Sequence, residues 1–73
     1  MSSTIHNGRI TGPVAYVASS GVTEDIPLGP CLIEQLDGTS VDVIWGARGE
    51  FSAALGAEAI RAAHASGRLV LLD

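Results

Sequence analysis

The chain has 73 residues, which limits it to one small domain near the lower size for unaided folding. Only 16% of residues are charged, there is no lysine, and the net charge is −4. Affinity for nucleic acid comes mainly from Lys and Arg, so four arginines against eight carboxylates make phosphate binding unfavourable.

The longest apolar run, Val14 to Ala18, falls far short of the ~20 residues a membrane helix needs. The stretch Met1-Ser2-Ser3-Thr4 has neither a basic start nor an apolar core, so no secretory signal is expected. A bacterial cytoplasmic location, or a phage-encoded protein, follows by default. A charge-poor surface on so small a domain is expected where a partner covers part of it, although a genome biased towards Ala, Gly and Arg codons gives the same composition.

Residues 1–9 are mostly polar, with Asn7-Gly8 as a turn signal, and residues 1–11 read as an N-terminal arm, either ordered or loose. A single β-rich domain is expected over 12–73. Gly12-Pro13 punctuates the entry to Val14–Ala18, which reads as a strand; Pro13 belongs at its start or on an edge because it has no N–H to donate. Ser19 to Asp25 reads as a polar loop.

Cys31–Gln35 and Val41–Trp45 are strand-like runs around Asp37-Gly38, a strong hairpin signal. A two-residue turn would put Glu34 among Val41, Val43 and Trp45. A three-residue loop with Gly38 left-handed instead places Cys31 and Ile33 on the face of Val41, Val43 and Trp45. The second register separates apolar from polar better and is preferred, since a one-residue slip inverts every side chain.

Gly46-Ala47-Arg48-Gly49 is a second turn, and Glu50–Leu55 alternates as a third strand with Phe51, Ala53 and Leu55 inward. From Gly56 the composition becomes alanine-rich and predicts a helix of about ten residues. Its inner stripe is Leu55, Ala59, Ala62 and Ser66, widened by Ile60 and Ala63. Gly67 is placed for a left-handed C-terminal cap. Arg68 to Asp73 closes the chain as a strand that is apolar on both faces, so one of those faces must line a barrel or meet another subunit.

The order of strand, long loop, three-stranded meander, helix and strand resembles the layout of SH3-like small barrels, in topology alone and over residues 12–73. The implied fold class is mainly β with one short helix. The alternative is an α+β open sheet with the helix packed on one face.

Chemistry-bearing residues are sparse. Cys31, the only cysteine, lies between apolar neighbours and reads as a buried, inert thiol. His6 and His64 have no second metal ligand at motif spacing, and no cofactor is expected. His6 reads as an arm residue and His64 as a last-turn helix residue facing the dipole. Glu24-Asp25 and Glu34 with Asp42 read as solvated carboxylates. The glycines at 46, 49 and 56 match no phosphate loop, and a ligand pocket of ~300 Å³ or more is hard to fit in this length. Catalysis is therefore not expected.

The reading that remains is a non-catalytic protein-interaction or self-assembling domain, with itself or another protein as partner. Strand alternation puts Arg68, Val70 and Leu72 on one face of the last strand and Leu69 and Leu71 on the other. The Arg68 face is taken as outer, so Val70 and Leu72 meet the partner. Trp45 beside Arg48 is a second candidate binding edge, although a Trp that caps the core is the plainer reading. The alternative function is a nucleic-acid-binding barrel using Arg9, Arg48, Arg61, Arg68 and Trp45, which needs all four arginines on one surface.

Overall fold

A computed structural model describes residues 4–35 and 37–72. The chain is mainly β with a single short helix. Five strands form one antiparallel sheet, in the order β6-β5-β4-β1-β7, and two more form a small separate ribbon, β2-β3. The strands are β1 (Thr4–Ile10), β2 (Ala15–Val17), β3 (Thr23–Asp25), β4 (Gly29–Gln35), β5 (Ser40–Trp45), β6 (Phe51–Gly56) and β7 (Leu69–Leu71). Helix α1 (Ala57–Ala65) lies between β6 and β7 in the chain.

The segment expected as an arm is, over Thr4–Ile10, an interior strand paired with β4 on one side and β7 on the other. The Asn7-Gly8 turn signal is overridden by packing. A Cβ on Gly8 would stand 3.0 Å from Ile33 Cδ1 and 3.1 Å from the Val70 carbonyl oxygen, so glycine is needed here for close approach within an extended strand. Ile10 is buried at the heart of the core. The expected boundary at residue 12 therefore gives way, because β1 belongs to the same packed unit. With the first strand moved from 14–18 to Thr4–Ile10, the element order is the one anticipated.

Val14–Ala18 is strand over Ala15–Val17 only, and it stands outside the large sheet. The loop expected at Ser19–Asp25 contains its partner, β3, with Tyr16 opposite Glu24. Val14 and Ile26 flank this ribbon, are both buried, and are joined by the Ile26 N–H donating to the Val14 carbonyl at 2.9 Å.

In the β4–β5 hairpin the faces are as anticipated, with Cys31, Ile33, Val41 and Val43 all buried. The register differs: Ile33 pairs with Val43 rather than Val41, and Gln35 pairs with Val41. The longer loop is held by the Asp37 carboxylate, which accepts the N–H groups of Thr39 (2.7 Å) and Ser40 (2.8 Å) and the Thr39 hydroxyl. Gly38 is accordingly not among the left-handed glycines. A slip of two residues preserves which side chains face inward, so the hydrophobic pattern alone could not separate the two pairings.

Helix α1 forms where its alanine content predicts it, but its buried stripe is rotated. Ala63 is buried, Ala57 and Ile60 pack against the core, and Ala59 and Ala62 are exposed. Ile60 is the largest apolar side chain of the helix, and turning it inward removes more surface from water than an all-alanine stripe would. At the C-terminus, Gly67 has φ +78°, its N–H donates to the His64 carbonyl, and the Arg68 N–H reaches back to the Ala63 carbonyl at 2.9 Å. This is a Schellman cap.

The core joins Ile10, Val14, Ile26, Cys31, Ile33, Val41, Val43, Ala63 and Leu69. It fills one face of the large sheet, with the helix and the β2–β3 ribbon as cover. The opposite, outer face carries Ile5, Asn7 and Arg9 from β1, Leu32 and Glu34 from β4, Asp42 and Ile44 from β5, and Val70 from β7, as the pairing dictates. No helix among the described residues is long and apolar enough to cross a membrane.

Candidate functional site

Trp45 ends β5 and pairs directly with Phe51 at the start of β6, because the turn at 46–49 brings the two strands back together. Gly46, at φ +100°, and Gly49, at φ +66°, take the left-handed geometry which that turn requires. The Trp45 and Phe51 rings are stacked with centroids 6.1 Å apart and planes at 17°. Tyr16, from the ribbon, meets Trp45 edge-on at 5.3 Å and 65°. Aromatic pairs in these geometries are worth ~0.5–1.5 kcal/mol beyond their buried area.

These three rings floor an open groove of about 590 Å³. The chain leaving the ribbon supplies its other wall with Pro27, Leu28 and Pro30. Leu28 is 70% exposed and Phe51 54% exposed, so the wall and the floor both offer apolar surface to solvent. The charge on its rim is negative and comes from Glu24 and Asp25. The expectation that Phe51 is core is corrected: it shares the core side of the sheet with Trp45 but sits at the start of β6 and stays largely exposed. Trp45 both packs against the core and faces the groove. The expected lack of room for a pocket is also corrected, since the ribbon stands off the sheet and leaves space between them.

Arg48, the companion proposed for Trp45, does not line this groove. It faces a shallower depression on the far side of the turn, with Leu32 and Ile44. The four arginines are dispersed. Arg9 is on the outer sheet face, and Arg61 is on the helix, paired with Glu58 at 2.6 Å. Arg68 donates to Ser66 Oγ at 2.6 Å and to the Pro13 carbonyl at 3.1 Å, tying the helix cap to the 11–13 loop. Its own carbonyl accepts the Thr11 N–H at 2.8 Å.

Val70 and Leu72 stand as the alternation requires. Leu69 is buried, whereas Val70 is 38% and Leu72 57% exposed. Leu71, on the inward face, is nonetheless partly open because β7 is an edge strand.

Cys31 is buried, and burial raises its thiol above the ordinary value of 9.0. It therefore stays protonated at neutral pH and is a poor nucleophile. His6 is a strand residue opposite Ile33 rather than part of an arm. His64 is exposed in the last helical turn and lines a small notch of about 210 Å³ with Arg61 and Ile60. Among the described residues no three His, Cys, Asp or Glu side chains come together as a metal site would need.

The groove is half-legible in the sequence. Trp45 stands out there, but Tyr16 and the Glu24-Asp25 rim read as parts of unrelated segments. The only signal is the apolar-polar-apolar order of residues 14–28, a ribbon pattern too short to stand alone. Comparison with protein families, with curated proteins and with solved structures finds no match.

Proposed function

We propose that this chain is a non-catalytic protein-interaction domain whose groove takes an extended segment of a partner protein. The carrying observation is the aromatic floor. Trp45, held between Tyr16 and Phe51, presents ring surface to an open channel walled by Pro27, Leu28 and Pro30. Aromatic-lined grooves suit an extended or polyproline-type backbone, whose side chains drop between the rings at little cost in conformational entropy. The rim carboxylates of Glu24 and Asp25 favour an arginine or lysine in the bound segment. They also repel phosphate, which supports a peptide over a nucleic acid at this site. The element order shared with SH3-like barrels supports the same reading.

The test is a titration of the folded chain with ten-residue proline-containing peptides, with and without arginine, followed by Trp45 fluorescence. The arginine-containing peptide is expected to shift the emission and to bind more weakly as salt rises. Trp45→Ala, which removes the one tryptophan and is therefore titrated by calorimetry, is expected to lose at least tenfold in affinity, and Glu24→Lys with Asp25→Lys to lose the preference for arginine. Absence of any shift with either peptide at millimolar concentration defeats the reading.

A further inference from the structure

We infer that the outer face of the five-stranded sheet is covered by a second copy of this chain, in a symmetric dimer held in register by Arg9 of each copy against Glu34 of the other. This surface lies on the side of the sheet opposite the groove, so the inference does not rest on the peptide-binding reading.

The face is ordered in rows by the strand pairing. The middle row runs across the sheet through Asn7, Leu32 and Ile44. Leu72, whose N–H donates to the Asn7 carbonyl at 2.9 Å, extends that row at the β7 edge. One flanking row holds Val70 and Arg9. The other holds Ile5, Glu34 and Asp42. A strip that is apolar except at Asn7 therefore has a positive charge on one side and negative charge on the other.

That arrangement is self-complementary. A two-fold axis lying along the apolar row brings each strand over its own copy and exchanges the two flanking rows. Leu32, Ile44 and Leu72 then meet their own counterparts. Arg9 comes over the row that carries the partner copy's Glu34, one strand away, and the reciprocal pair forms at the other end. Sheets stacked this way lie ~10 Å apart with strands near alignment, a gap that an arginine and a glutamate side chain span together.

Area and charge set the strength. Strands spaced ~4.8 Å apart, of seven residues in β1 and β4, six in β5 and β6 and three in β7, give a footprint of roughly 450 Å² per copy, about 900 Å² for the pair. That is just below the range of stable specific interfaces, so the dimer is weak and reversible. Each chain carries −4, but repulsion between charges more than ~8 Å apart is screened at physiological salt. The local Arg9–Glu34 pairs are screened less than these distant charges, and such pairs fix register more than they add affinity.

The experiment is light scattering over a dilution series from micromolar to millimolar. The unaltered chain is expected to rise from its 7.5 kDa mass to twice that value. Arg9→Glu and Glu34→Arg, each alone, place like charges opposite one another and are expected to hold the mass at one chain. Mixing the two variants sets opposite charges against each other again at both contacts, with their signs reversed at one of them, and is expected to restore the doubled mass. Val70→Glu is expected to stay at one chain while keeping its cooperative melt. An unaltered chain that stays monomeric at millimolar concentration overturns the inference. So does a mixture that fails to dimerise, or a Val70→Glu variant that still does.

Discussion

Leu69 and Leu72 lie three residues apart in the same apolar tail and have opposite environments. Leu69 is 1% exposed and pairs with Ile10 across the β1–β7 ladder, whereas Leu72 projects from the outer face. Leu69→Ala is expected to cost ~2–5 kcal/mol, the range for a leucine whose cavity cannot collapse, and Leu72→Ala less than ~1 kcal/mol. Urea denaturation at a concentration where the chain is monomeric separates the two; equal losses would mean that the assigned burial is wrong. Cys31 tests the core in another way. Its raised thiol is expected to ignore a disulfide reagent at pH 8 in the folded state and to react at once in denaturant.

Asp37 is the residue with a pH signature. Hydrogen bonds from Thr39 and Ser40 hold its carboxyl below the ordinary value of 3.8. A depressed folded value means that its contribution is complete above the unfolded value near 3.8 and is lost as pH falls through the lower, folded value. Asp37→Asn keeps the accepting oxygen but not the charge. Its deficit against the unaltered chain is expected to be full at pH 6 and to shrink as pH falls below 3.8, and a gap between the two melts that does not narrow with falling pH would remove Asp37 from the account.

At the scale of elements, the strands and the helix owe their stability to different things. The helix is limited by its ends. Gly67 takes φ +78° with nothing within 4 Å of where a Cβ would be, so Gly67→Ala carries a purely conformational cost, ~1–2 kcal/mol. A thermal melt reads this as a drop of several degrees, since each kcal/mol moves a domain of this size by ~4–8 °C. Strand β1 is limited by its neighbours, because it joins the meander to β7. Deleting residues 1–10 is expected to abolish the cooperative transition by circular dichroism, whereas a dispensable arm would leave it intact. The β2–β3 ribbon, three residues a side and pinned by Val14 and Ile26, is expected to exchange its amide hydrogens well before β1, β4 and β5.

For the molecule as a whole, the sequence by itself determined the elements whose signals are local. The meander over 31–55 was legible because two turn signals bracket alternating apolar runs, and the helix because alanine dominates from Gly56 to Gly67, with Ile60 the one β-branched residue. The inward set Cys31, Ile33, Val41 and Val43 followed from alternation, as did the sharing of one face by Val70 and Leu72, which was taken as outer because it also carries Arg68. Only the tertiary structure decided the rest. Thr4–Ile10 is polar and contains Asn-Gly, so nothing local makes it a strand; it is one because Gly8 lets Ile33 and the Val70 backbone approach closely and because two ladders satisfy its amides. The β4–β5 register was set by the Asp37 carboxylate, a choice invisible to a pattern with period two. The groove, too, required three dimensions: Tyr16, Glu24, Trp45 and Phe51 come from separate segments, and only the fold of the ribbon against the sheet end brings them together. Local chemistry determines what each segment can become, and long-range packing determines which segments meet.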